Sequence, residues 1–504
     1  MVAIAYSVAF EGIEARLVEV QCSASPGLPG FSIVGLPDKT VSEARERVKA
    51  AFGALSIAMP NKKLTVNLSP ADLPKEGSHF DLPIALAVLA AIDIIPADEL
   101  SRCVSMGELA LDGRLVPVTG ALPAAMAAAE DERALICPAA SGPEAAWIDA
   151  VTVFAAGSLR AVIDHLGERK PIAPAKPGLL SGALPTTCLS EVKGQERAKR
   201  ALEIAAAGRH HILMVGPPGA GKSMLAARLV GLMPPLTPTE ALETSMIHSL
   251  AGTLRDGGIS CHAPYCDPHH TASMAAIVGG GRNAKPGQIS LAHNGVLFMD
   301  EFPEFSRQVL ETLRQPIETG EVVIARANKH VRYPCRFLLV AAANPCRCGH
   351  LADAARACAK APACGGDYMN KISGPLMDRF DLRLELPAVS FLDLELPANG
   401  ERSPDIAARV AAARDIQRDR YRDHRKIAAN SDATGSLLDQ IAAPDREGRD
   451  LVMKASEKLG LTARGYHRIL RTARTIADLD QSRNVCPRHL AEAISYRLPF
   501  VAGG

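Results

Sequence analysis

The sequence predicts an α/β multidomain chain: an N-terminal α+β region, a phosphate-binding core built on a parallel sheet, and a C-terminal helical region. Three observations predict it. The 504 residues exceed what one hydrophobic core holds, so two to four domains are expected. The segment "GPPGAGKS", Gly216 to Ser223, stands between the apolar run "ILMV" and the helical stretch "MLAARLVGLM". The segment "ERKPIAPAKPGLLSGALP" carries four prolines and divides the chain as an extended linker.

In chain order, residues 1–167 alternate β-branched runs ("RLVEVQ", "KLTVNLSP", "RLVPV") with Ala-rich helical stretches. Residues 168–185 are the linker. Residues 186–390 open on a helix, "GQERAKRALEIAAAG", which Gly208 ends. Apolar runs follow ("HHILMVG", "GVLFMD", "FLLVAAA") between helices, the pattern of strands buried on both faces of a parallel sheet. Residues 391–504 read as helical and arginine-dense.

Composition narrows the class. With 47% hydrophobic and 22% charged residues the chain is an ordinary globular protein, and its net charge of +1 requires any nucleic-acid surface to be local. The opening "MVAIAYSVAFEGIEA" lacks a signal-peptide pattern, and Asp93, Pro83 and Pro96 interrupt the most apolar run. No membrane insertion is expected, and the location is expected to be cytoplasmic. The 12 cysteines are then expected as thiols or metal ligands.

Gly216, Pro217, Pro218, Gly219, Ala220, Gly221, Lys222 and Ser223 form a P-loop, in which backbone N–H groups and a helix N-terminus surround phosphates. Lys222 is expected on the β- and γ-phosphates of ATP and Ser223 on Mg²⁺. "GVLFMDE" ends in Asp300, a second Mg²⁺ ligand, and Glu301, the base for the attacking water. Asn344, closing "FLLVAAAN", is suited to position that water. Arg379, in "GPLMDRFDL", is either a local ion-pair partner of Asp378 or Asp381 or an arginine finger for a neighbouring subunit's ATP. A P-loop that binds without turnover is the bland alternative.

The order P-loop, "FMDE", "AAAN", "DRFD" and helical lid resembles an AAA+ ATPase. "LTARGYHRIL" resembles sensor 2 of the MCM and magnesium-chelatase branch, which places that arginine at Arg464, with Arg468 as competitor. In that branch the sixty or so residues before "FMDE" correspond to a helix-2 insert. "GEVVIARANKHVRYPCRF" corresponds to a pre-sensor-1 hairpin. Both would face a hexamer's pore, with Arg326, Lys329 and His330 at a tip that tracks DNA phosphates. On charge alone the same segment is a solvated basic turn.

"PKEGSHFDLPIALAVL" and "GELALDGRLVPVTGALPAA" resemble the Lon-type proteolytic domain, a ribosomal protein S5 domain 2-like α+β fold. His79 stands where that enzyme has its serine and Leu122 where it has its lysine, so a proteolytically inactive domain is expected; Ser78 is one place away. With "GLPGFSIVGLPDKTVSEARERV" and "APYCDPHHTAS", the whole order is similar to the YifB/ComM family of magnesium-chelatase-like ATPases.

That resemblance implies a hexameric, ATP- and Mg²⁺-dependent DNA helicase driving branch migration during recombination in natural transformation. Its implied partners are single-stranded and branched DNA, with recombination proteins also possible. A chelatase motor subunit and an AAA+ protein remodeller are the other readings.

Two cysteine segments remain. "CHAPYCDPHH" holds Cys261, His262, Cys266, His269 and His270 without standard zinc spacing, and a pore or interface role is expected for His269 and His270. In "NPCRCGHLADAARACAKAPACGG", Cys346, Cys348, Cys358 and Cys364 either bind a structural Zn²⁺ or form a reduced-thiol loop.

Overall fold

The computed structural model describes residues 2–498 other than 181–186, 255, 282–283, 327–328, 352–355, 357, 390–394, 396–399 and 425–426. The end of the predicted linker, the start of the predicted lid and the centre of the "RANKH" turn lie outside the described residues, as do the side chains of Arg326 and Lys329.

The N-terminal region is a mixed seven-stranded sheet, in spatial order Gly30–Val34, Lys63–Ser69, Glu14–Ser25, Val2–Glu11, Cys103–Ser105, Ala134–Pro138 and Val153–Ala156. Alternation builds it: along Glu14–Ser25, Val18, Val20 and Cys22 are buried between half-exposed neighbours. The first hairpin pairs Glu11 with Glu14, leaving Gly12 and Ile13 as the turn, with Gly12 at φ +68° as such a tight turn requires. The helix Asp81–Ala91 is apolar on all sides and packs beneath the two long strands. The linker is docked rather than free: Ala175 N–H donates to Val153 and Gly178 N–H to Pro143.

The ATPase core is a five-stranded sheet in the order Tyr265–Cys266, Val296–Met299, Leu338–Ala343, Ile212–Val215 and Leu382–Glu385, every neighbouring pair parallel. Its strands are buried almost throughout, as their continuous apolar runs require. The sixty-residue stretch expected to be an insert is divided. It supplies the helix Pro238–Ala251, then the edge strand Tyr265–Cys266 of the core sheet itself, then the helix Met274–Val278 and a small hairpin, Gly279–Gly280 with Lys285–Pro286. The later hairpin is present as Glu321–Arg326 against Lys329–Pro334, with Arg326 opposite Lys329 at the end of the ladder and His330 exposed.

The C-terminal helices include Ser403–Arg420, Arg446–Leu459, Ala463–Leu479 and Pro487–Ser495. They do not enclose a separate core. Ile406, Val410, Ile469 and Ala473 share one apolar cluster with Leu202, Ala205 and the strand residues Ile212 and Leu382. The N-terminal region also joins the ATPase core, since Phe10 and Ile13 pack into the cluster holding Val322, Ile324, Val331 and Tyr333.

Candidate active site

The C-terminal ends of three adjacent core strands bring the nucleotide residues together. Ile212–Val215 leads into Gly216, Val296–Met299 into Asp300 and Glu301, and Leu338–Ala343 into Asn344. Gly219 and Gly221 adopt φ +80° and +86°, backbone geometry that turns N–H groups into the loop and sets the start of the helix Lys222–Leu229. At Gly216 a Cβ would lie 2.7 Å from the Leu386 carbonyl oxygen, so the loop packs on the neighbouring strand's exit.

Lys222 is folded onto its own loop. Its Nζ donates to the Gly216 carbonyl at 2.6 Å, the Pro217 carbonyl at 3.0 Å and Asn344 Oδ1 at 3.0 Å. Burial lowers its pKa, against the opposing pull of Asp300 and Glu301. Ser223 Oγ donates to Asp300 Oδ2 at 2.8 Å, so a hydroxyl and a carboxylate converge as a hard, oxygen-donor pair fit for Mg²⁺. Glu301 sits at φ +49°, with its backbone N–H held by Asp300 Oδ1.

His270 places Nδ1 3.2 Å from Glu301 Oε2. It stacks on His269 at 4.2 Å and meets the edge of Phe305. Sequence reasoning missed this partner. The signal was its position just past the edge strand Tyr265–Cys266, which is too short to show a periodicity. Among the described residues the ligand atoms of the "CHAPYCDPHH" segment do not converge on a metal-sized site.

Arg379 and Arg464 are not at this edge. Arg379 directly precedes the strand Leu382–Glu385, and its sheet end carries His211, Phe337 and Asp381. A strand of four residues, roughly 13 Å, separates the two edges. Arg379 is buried and pairs with neither Asp378 nor Asp381. Its Nη2 contacts Glu318 at 2.6 Å, and Nε donates to the Arg314 carbonyl at 3.1 Å. Burial lowers its pKa, Glu318 opposes, and Arg314 and Arg464 add to the lowering.

Beside it opens a cavity of about 440 Å³ lined by Arg209, Arg336, Arg464, Arg468, Arg471 and Glu318, among others. Arg468 is committed to Asp381, Nη1 to Oδ1 at 2.6 Å, whereas Arg464 is exposed. Burial would raise the Asp381 pKa, but Arg468, His210 and His211 hold it well below the usual carboxylate range.

In the N-terminal region His79 is buried between Phe10 and Phe80, with Nε2 2.8 Å from the Val8 carbonyl oxygen. Ser78 donates to Glu108, and Leu122 is fully buried. The Leu122 N–H donates to Glu144 at 3.1 Å, and Glu144 in turn accepts from Ser249 on the ATPase helix Pro238–Ala251. Leu122, expected where a protease would carry its lysine, thus sits at a contact between the N-terminal region and the ATPase core.

Fold and site define a P-loop ATPase with a parallel five-stranded AAA+-type sheet. Family models agree along the chain: "Magnesium chelatase, subunit ChlI" matches residues 188–394, "Subunit ChlI of Mg-chelatase" residues 18–141, and "Magnesium chelatase, subunit ChlI C-terminal" residues 400–497. The chain is 43% identical to Competence protein ComM of Haemophilus influenzae, over 98% of this chain and 97% of that protein. It is also 43% identical to the uncharacterized protein YifB of Escherichia coli, over 96% and 95%. The Magnesium-chelatase 38 kDa subunit of Rhodobacter capsulatus is 26% identical over 62% of this chain and 88% of its own length. The chain belongs to the YifB/ComM family of magnesium-chelatase-like AAA+ ATPases. This membership implies ATPase activity with ATP and Mg²⁺. No helix among the described residues is long and apolar enough to cross a membrane.

Proposed function

We propose that this chain is the subunit of a hexameric, ATP-driven DNA translocase that promotes branch migration during homologous recombination of incoming DNA. The observation that carries the ring is the separation of Lys222, Asp300 and Glu301, at the C-terminal ends of the core strands, from Arg379 and Arg464, which lie at their N-terminal ends. A subunit so built has half of a hydrolysis site at each edge, and stacking subunits edge to edge completes it. The choice of DNA rests on the similarity to a competence protein across nearly the full length.

Mg²⁺, when bound, neutralises charge on the transferring phosphoryl group. Ser223 and Asp300 would hold it, and Lys222 would leave its own loop carbonyls to bind the phosphates. Glu301 takes the proton of the attacking water, which Asn344 orients. Arg379 leaves Glu318 to meet the neighbour's nucleotide, and Arg464 supplies a second cation from the same cavity. The hairpin residues Arg326, Lys329 and His330 follow the strand backbone without reading sequence. The N-terminal region, residues 1–167, is a Lon-like domain without proteolysis, followed by the linker 168–185, the ATPase core 186–390 and the lid 391–504.

A chelatase motor is the rival reading, because the family models carry that name. Coverage favours the competence relative, at 98% of the chain against 62%. The test is ATPase and fork-unwinding activity with single-stranded and branched DNA, using wild type, Lys222→Ala, Arg379→Ala and a mixture of the two variants. DNA stimulation and partial rescue in the mixture are expected. ATPase indifferent to DNA, with no rescue, would sink the reading.

A further inference from the structure

We propose that Cys346, Cys348, Cys358 and Cys364 form a tetrathiolate Zn²⁺ site that pins the loop after Asn344 against the P-loop. The sulfur atoms converge. Those of Cys346, Cys348 and Cys364 all lie within 4.8 Å of one another, and Cys346 Sγ is 3.0 Å from Cys348 Sγ. Cys358 neighbours Cys348 and Cys364 but lies outside this group of three, and its thiolate must swing in to supply the fourth ligand. A tetrahedral ion with Zn–S bonds of about 2.3 Å places its sulfurs about 3.8 Å apart, so small side-chain adjustments seat it.

The turn from Cys346 to Cys348 is closed by Gly349 N–H donating to the Cys346 carbonyl at 2.9 Å, with Gly349 at φ +81°. Arg347, Arg356 and Lys360 lie in the same segment, so it supplies positive charge against the net negative charge of four thiolates around a divalent cation. Binding releases the thiol protons to solvent and needs no redox partner.

Position gives the ion its task. Cys346 is buried two residues after Asn344, whose Oδ1 accepts from Lys222. A Cβ at Gly349 would lie 2.7 Å from Pro218 Cδ, so the cysteine turn touches the P-loop directly. At Gly365, next to Cys364, a Cβ would be 3.2 Å from the Pro345 carbonyl oxygen. An ion joining the two halves therefore fixes Asn344 and the phosphate loop together. The site stands whether or not the motor acts on DNA.

Elemental analysis of the full-length protein, purified under reducing conditions without chelator, should find about one zinc per chain. Co²⁺ added to the stripped protein should give the visible absorption of a tetrahedral cobalt thiolate, which decides the matter even if cysteine variants fold poorly. Cys348→Ser/Cys358→Ser should lose both the zinc and the cobalt spectrum. Stripping zinc should lower ATPase turnover, and Zn²⁺ but not extra Mg²⁺ should restore it. Zinc-free wild type with no cobalt spectrum, iron in place of zinc, or full zinc content in the double variant would each overturn the metal assignment. Unchanged turnover after zinc loss would overturn the pinning of the P-loop.

Discussion

Asp381 is enclosed at 1% exposure and divides the labour between two arginines one turn apart on the helix Ala463–Leu479. It binds Arg468 at 2.6 Å and leaves Arg464 facing the cavity. Asp381→Asn should therefore cost about 1.5–3 kcal/mol in urea unfolding, because the half-buried Arg468 loses its charged hydrogen-bond partner. Arg464→Ala should move stability by less than about 0.5 kcal/mol while lowering ATPase turnover. Equal destabilisation by both variants would contradict the division. Buried His79 and half-buried His211 both contribute to the pH response. Burial lowers the pKa of His79 and of His211 from 6.5 to about 4. Each takes up its proton more readily when unfolded, so stability is full above pH 6.5 and falls as pH drops toward 4, by about 3 kcal/mol for the enclosed His79. His79→Leu should start lower at neutral pH, since the Val8 carbonyl loses its partner, yet lose less on acidification between those limits. An unchanged slope of stability against pH in that variant would contradict the assignment.

At the scale of elements, the turn Gly12–Ile13 carries the N-terminal sheet onto the hairpin proposed to meet DNA. A Cβ at Gly12 would lie 2.2 Å from the Arg332 carbonyl oxygen, and Gly12 needs its left-handed φ of +68°. Gly12→Val should thus lift the turn off the strand Lys329–Pro334, raising amide hydrogen exchange in that strand while leaving exchange in the helix Asp81–Ala91 unchanged. Equal exchange in both proteins would mean that the turn does not restrain the hairpin. This contact was not legible in the sequence, because it joins segments over three hundred residues apart through a backbone carbonyl. The same limit hid His270 beside Glu301 and Glu318 beside Arg379, pairs made by strand order rather than by local pattern. What was legible is local. The P-loop, the carboxylates after "GVLFM" and Asn344 after "FLLVAAA" each sit at the end of an apolar run, and a run buried on both faces betrays a parallel strand without any partner. Helical periodicity in the lid reports that a face is buried, not that the surface it meets is the ATPase helix Glu196–Gly208.

Across the whole molecule, in the proposed hexamer, the sheet acts as a spacer between the P-loop of a subunit and its Arg379 and Arg464. The N-terminal ends of the strands gather cations around the cavity beside Arg379, and the C-terminal ends gather Lys222, Ser223, Asp300 and Glu301. No side-chain rotation spans a strand length of roughly 13 Å, so an isolated subunit lacks the charge that an arginine finger contributes. Such fingers are worth about 10³–10⁵ in turnover. Turnover per chain should therefore rise steeply with protein concentration at saturating ATP, and nucleotide affinity, set by the P-loop edge alone, should change much less. Sedimentation measured at the same concentrations should place the rise where the oligomer forms. Turnover per chain that stays constant below the concentration of assembly would show that the arginine cavity serves its own subunit, and the edge-to-edge completion of the site would fail.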